Sequence, residues 1–158
     1  MSETRLYRDG RFVAEDSLYV ADDAPLPANG RAVVSKARYL SLPVAERPRA
    51  LLLETADTLD GLETAVERLD LIVLRFARYA DGRPYSLAGR LRARLGFAGE
   101  LRAIGDVLHD QIFLLERQGF DSFGVTHPGT IRALAENRIV KVPTRAAFTH
   151  GAAAAAAE

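Results

Sequence analysis

The sequence predicts an α/β fold: a compact βα-repeat domain on a mainly parallel sheet, an open sheet or a partial barrel, preceded by a small N-terminal extension. Three observations carry this. Short, continuously apolar runs recur, as in Leu51-Leu52-Leu53 and Leu71-Ile72-Val73-Leu74. Such runs suit strands buried on both faces. Between them lie stretches with helical spacing, the alternation that marks parallel βα units. The chain has 158 residues, 48% of them hydrophobic, enough for one packed core.

The elements follow in order. Residues 5–20 alternate loosely, with Leu6, Phe12, Val13, Leu18 and Tyr19 among charges, and Asp9-Gly10 marks a hairpin turn. Prolines and glycine make 24–30 a loop. Residues 31–42 suit a short helix or strand followed by a turn. After the strand at 50–53, a helix is expected with Leu59, Leu62, Val66 and Leu69 on one face, started by Asp57 or Thr58 as cap. The strand at 71–74 leads into the loop 80–84. Ser86 can then cap a helix carrying Leu87, Leu91 and Leu95 and ended by Gly96. A strand at about 100–104 precedes Gly105-Asp106. That pair is expected to open a helix with Val107, Leu108, Ile112 and Leu115, stopped near Gly119. A strand over 120–125, a helix begun by Pro128 with Ile131 and Leu134, and a last strand at 138–142 complete the series. The expected division is an extension over 1–45, the parallel domain over 46–148, and a low-complexity, disordered alanine-rich tail over 149–158.

Composition excludes several chemistries. There is no cysteine, hence no disulfide, thiolate nucleophile or cysteine-ligated cluster. Formal net charge is zero, with 21 basic and 21 acidic residues, so no long-range field draws the chain to a nucleic acid. No apolar run is long enough to span a membrane, and residues 1–10 carry no secretory pattern, so the expected location is cytoplasmic. His109, His127 and His150 are scattered, and no metal is expected. Neither a dinucleotide-binding nor an ATP-binding glycine loop is present, which leaves the cofactor unknown.

In parallel α/β proteins, ligands meet the loops beyond strand carboxyl ends. Two such loops stand out: residues 75–83, and Gly105-Asp106. Arg75, Arg78, Arg83, Arg90, Arg92, Arg94 and Arg102 fall within 28 residues, opposed only by Asp81 and Glu100, seven against two or net +5. A guanidinium fork suits carboxylate, phosphate or sulfur oxyanions. Arg78, Arg83, Arg102 and Gln111 are therefore candidate anion or acidic-partner ligands. Asp81 and Asp106 are candidate catalytic groups, and His109 with Asp110 a candidate acid/base pair. Tyr79 and Tyr85 flank Asp81-Gly82-Arg83. The competing reading is structural: Asp81-Gly82-Arg83 as a turn with its own ion pair, Asp106 as a helix cap, and Arg92 as part of a solvated helix with local ion pairs.

The segments 75–86, 99–111 and 117–123 together resemble a bacterial family whose members are assigned to sulfite reduction as oxidoreductases. The resemblance covers residues 71–125, with a weaker extension over 31–42. It carries over to Asp81, Gly82, Arg83 and Ser86; to Gly99, Glu100, Leu101, Arg102, Gly105, Asp106, Val107, Leu108, Asp110 and Gln111; and to Gly119, Phe120, Asp121 and Phe123. It departs from the family at Ala77-Arg78-Tyr79, at His109, where arginine is common, and at Gln118, where cysteine is common. No thiol mechanism transfers, and His109 loses support as a catalytic group. The resemblance implies sulfite reductase or another sulfur-assimilation protein as partner and a sulfur oxyanion as ligand. Three functions are expected to compete: an accessory protein or oxidoreductase of assimilatory sulfite reduction, a non-catalytic interaction module for sulfite reductase, and a small enzyme acting on a phosphorylated or carboxylated metabolite.

Overall fold

The computed structural model describes residues 3–138. β1 (Arg5–Arg8) and β2 (Arg11–Val13) form an antiparallel hairpin. Asp9 and Gly10 close it at φ 55° and 80°, the two left-handed residues that a tight hairpin turn requires. Six more strands follow: β3 (Ser17–Tyr19), β4 (Arg31–Ser35), β5 (Ala50–Leu53), β6 (Leu71–Phe76), β7 (Glu100–Gly105) and β8 (Ser122–Val125). From β3 to β8 each strand pairs in parallel with the next, and β1 adds antiparallel to β8.

The sheet order is β2-β1-β8-β7-β6-β5-β4-β3. This is a mainly parallel α/β fold, open but strongly curled into a half-barrel. The connection between β2 and β3 accounts for part of the curl. These strands follow each other in sequence yet sit at opposite edges of the sheet, joined by residues 14–16 alone. The step from Val13 to Ser17 can span at most about 14 Å. The two edges are held near each other, and residues 14–16 form a strap across the gap.

Helices α1 (Lys36–Ser41), α2 (Arg83–Ala93), α3 (Ile112–Arg117) and α4 (Pro128–Ala135) punctuate the repeat. Alternate strand residues then face two ways. Leu51, Leu53, Ile72, Leu74, Phe76, Leu101, Ala103 and Phe123 join the main core with Leu87, Leu91, Ile112 and Leu115 of the helices. The opposite, concave face holds a second cluster of Val33, Ala50, Leu71 and Val73, flanked by Leu52 and Ile104.

Several expectations are corrected. The first 45 residues are not an appendage, since they supply four of the eight strands. Residues 31–42 form a strand and then a helix, β4 and α1. No α-helix forms at 57–69: Gly61 takes φ +88°, and only Ala65–Arg68 winds into a 3₁₀ turn. Leu62, Val66 and Leu69 are buried there all the same, so their spacing signalled burial rather than helix. Helix α2 begins at Arg83, ahead of Ser86, with Pro84 in its first turn. Asp106 caps no helix; a 3₁₀ turn at His109–Gln111 precedes α3. The strand expected at 138–142 falls almost wholly outside the described residues, and His150 and the tail at 149–158 lie wholly outside them.

Candidate functional site

The concave face is polar where most strand interiors are not. On β7, Glu100, Arg102 and Ile104 alternate onto it, and Arg102 is 0% exposed. A buried guanidinium needs acceptors all round, and the curl supplies them. Arg102 pairs with Glu100 at 3.0 Å on its own strand, and with Glu15 at 3.0 Å and Asp16 at 3.1 Å on the strap. It also donates to Ser122 Oγ at 3.1 Å. Arg8 on β1 and Arg31 on β4 each bridge Asp16 and Glu100, at 2.9–3.3 Å. Three arginines thus meet three carboxylates. Burial pushes the Asp16 carboxyl upward, but hydrogen bonds from Arg102 and Arg31 outweigh it and hold the group well below its usual range. Glu100 is lowered in the same way: burial raises it, while Ser122 and Arg102 pull it down.

Above this floor the half-barrel opens at the carboxyl ends of its strands into a cavity of about 820 Å³. Its polar lining includes Glu15, Tyr19, Asp22, Ser35, Glu54 and Arg75, and its apolar lining includes Val33, Leu52 and Ile104. Arg75 extends the Leu71-Val73 face of β6 by one alternation and pairs through Nε with Glu54 at 2.9 Å. Ser35 Oγ donates to Asp22 at 2.7 Å. The Tyr19 hydroxyl lies 3.4 Å from Arg102 Nη1 and ties the wall to the floor. Desolvation around the hydroxyl raises the phenol above its usual value, against the pull of Arg102. Gly105 completes the wall at φ +92°, where a Cβ would stand 2.3 Å from the Phe76 carbonyl oxygen. Only glycine fits there.

The residues singled out by sequence divide between floor and outer rim. The two predicted loops do share an edge: Asp106 accepts the Tyr79 N–H at 2.8 Å, and Gln111 Nε2 donates to the Tyr79 carbonyl at 2.7 Å. Those bonds engage Asp106 and Gln111 in loop structure. Asp81 accepts from the Arg83 backbone and guanidinium, the closest contact being 2.8 Å, which holds its carboxyl below the usual range. A carboxyl so held is a poor proton donor at neutral pH. The His109 N–H donates to Thr130 Oγ1, and Asp110 is exposed. Arg78 is exposed with no ion-pair partner among the described residues. Of the expected set, Arg102 is the one drawn away from the rim, into the floor. Asp81, Arg83, Asp106 and His109 do not line the mouth.

Arg92 explains several matched positions. Its guanidinium donates to the carbonyls of Phe97, Gly99 and Gly119 and to Asp121, at 2.6–3.2 Å. Asp121 in turn accepts the Leu101 N–H. Gly99, Gly119 and Asp121 thus serve the frame between α2, β7 and β8. Sequence reasoning missed Glu15, Asp16, Asp22, Ser35 and Glu54. The available signal was polar residues at period two within otherwise apolar strands, as in Arg31-Val33-Ser35 and Leu71-Val73-Arg75. Among the described residues no group of His, Asp or Glu is placed to hold a metal ion, and no helix is long and apolar enough to cross a membrane.

A family model described as "Bacterial protein of unknown function (DUF934)" matches residues 50–144. The chain belongs to this family. The DUF934 match takes in β5 to β8 with α2 to α4, and leaves β1 to β4 outside it. No curated protein and no solved structure matches the chain.

Proposed function

We propose that the half-barrel mouth binds a small polar ligand through an acid group on Arg75, and that the protein acts in sulfite reduction as an accessory protein or oxidoreductase. The observation that carries the binding role is the cavity of about 820 Å³ at the carboxyl ends of the parallel strands. That is where α/β folds hold ligands, and its mixed apolar and polar wall suits a small molecule. Glu54 occupies Nε of Arg75, leaving its two terminal nitrogens without a hydrogen-bond partner among the described residues. The sulfite-reduction setting rests on the three-part sequence resemblance.

Anaerobic titration with sulfite, followed by calorimetry, tests this reading. Saturable binding is expected, weakened about tenfold or more in Arg75→Ala, the loss of a charge-assisted hydrogen bond, and unchanged in Arg83→Ala. The reverse pattern moves the site to the outer rim and rejects the mouth.

A second reading has its own support. Arg78, Arg90 and Arg94 are exposed and unpaired among the described residues, and Tyr79 and Leu114 are exposed as well. Unpaired arginines with exposed apolar side chains suit an acidic protein surface. Salt-sensitive association with sulfite reductase, abolished in Arg90→Glu/Arg94→Glu with mouth binding intact, favours this interaction role. No association at low salt removes it.

A further inference from the structure

Two charged groups in the mouth keep capacity after the fold has made its own bonds. One is Arg75, with its terminal nitrogens open. The other is Asp22, which accepts from Ser35 Oγ at 2.7 Å and has no cation at ion-pair distance among the described residues. Glu15, by contrast, is taken by Arg102, and Glu54 by Arg75. The open anion and the open cation approach from different strands. Asp22 is held by Ser35 on β4, and Arg75 stands on β6, two strands across and two residues beyond the Val73 level with Ser35, about 12 Å away along the sheet. Leu52 and Ile104 supply apolar wall in the same cavity.

A bare oxyanion satisfies half of this arrangement. It pairs with Arg75 but enters a wall that also carries Asp22 and Glu54, two carboxylates against one arginine, since Glu15 is matched by Arg102 below. A ligand carrying its own cation reverses the sign of that interaction. We propose that the mouth takes a zwitterion of amino-acid type, its acid group on Arg75, its amine on Asp22 and its carbon chain against Leu52 and Ile104. This rests on the mouth reading above and adds the amine.

Calorimetric titration of the full chain at low salt tests it with three sets of probes. Zwitterions of increasing amine-to-acid spacing are glycine, γ-aminobutyrate and ε-aminocaproate. Acid-only probes are butyrate, caproate and sulfite, and amine-only probes are butylamine and hexylamine. One zwitterion is expected to bind at least about tenfold more tightly than its acid-only and amine-only counterparts, a gap of about 1.4 kcal/mol. Asp22→Asn is expected to erase that advantage with the acid-only affinity kept or raised, which also shows the variant folded. Arg75→Gln is expected to erase it with the amine-only affinity kept or raised, since Glu54 loses its partner. Acid-only probes binding as tightly as every zwitterion overturns the amine assignment and leaves the mouth reading standing. If no probe saturates, the mouth reading falls and this inference with it.

Discussion

Arg102 is held in a position that water cannot reach, and its value to the fold depends on every partner staying in place. Removing one member of a charge network costs more than the network contributes wherever a surviving group stays out of water without its partner. In Arg102→Met the loss leaves Glu15, Asp16 and Glu100 facing one another with Arg8 and Arg31 alone to offset them. Glu100 is the one survivor mostly out of water, Glu15 and Asp16 being more than a third exposed, so we expect a destabilisation of about 1–3 kcal/mol, read as a lowered urea midpoint; no measurable change would show that the cluster relaxes into solvent. The same residues predict the response to acid. Asp16 and Glu100 are held below their ordinary values of 3.8 and 4.5. Their contribution is therefore complete above that range and is lost as pH falls through the lower folded-state values. Urea midpoints should be flat from neutrality to about pH 5 and fall steeply below about pH 4. Asp16→Asn should start lower and fall less. A parallel fall in the variant would place the acid sensitivity elsewhere.

At the scale of elements, Arg92 joins what the repeat alone leaves loose. One guanidinium closes the turn after α2 and the turn after α3 by reaching three carbonyls and Asp121. A lysine keeps the charge but offers one nitrogen where a fork is needed. Arg92→Lys should therefore cost about 1–3 kcal/mol, the penalty for part-buried acceptors left unmet, with Arg90→Lys as a near-neutral control on the exposed face; equal stability of the two variants would refute the staple. This frame also shows what was legible. The hairpin at Asp9-Gly10, β5, β6, β7, β8 and the start of α4 at Pro128 follow from apolar runs and punctuating residues. The segment 57–69 misled because 3₁₀ turns and loops can bury the same leucine spacing that a helix would. Arg102 misled for a different reason. It lies three residues before Gly105, about 10 Å down the strand from the rim, and nothing local says that its face is concave. That depends on residues 14–16 meeting both sheet edges, a property of chain order over the whole fold. The same distance in sequence hid Glu15 and Asp16, which are more than 80 residues from Arg102.

For the whole molecule, the question is whether the part shared with the DUF934 family can stand without the rest. The family match begins at residue 50, inside β5, and a fragment of residues 50–144 would keep the four central strands. It would expose the β5 edge that β4 covers and the β8 edge that β1 covers. Unpaired edges of a parallel sheet invite association. Within the barrel, Arg102 would retain Glu100 and Ser122 but lose Glu15, Asp16, Ser17 and Tyr19, and Val33 would leave the concave apolar cluster. The deficits compound because the same residues close the sheet and neutralise its interior. The fragment is expected to show no cooperative thermal transition and to self-associate in sedimentation, whereas the full chain should melt in one step. Adding residues 1–49 as a separate peptide should restore a cooperative transition, and charge reversal at Glu15 and Asp16 in that peptide should abolish the restoration. A fragment melting cooperatively and monomeric within a few degrees of the full chain would mean that the first four strands decorate a self-sufficient unit. The ionic floor would then be a consequence of the fold rather than one of its causes.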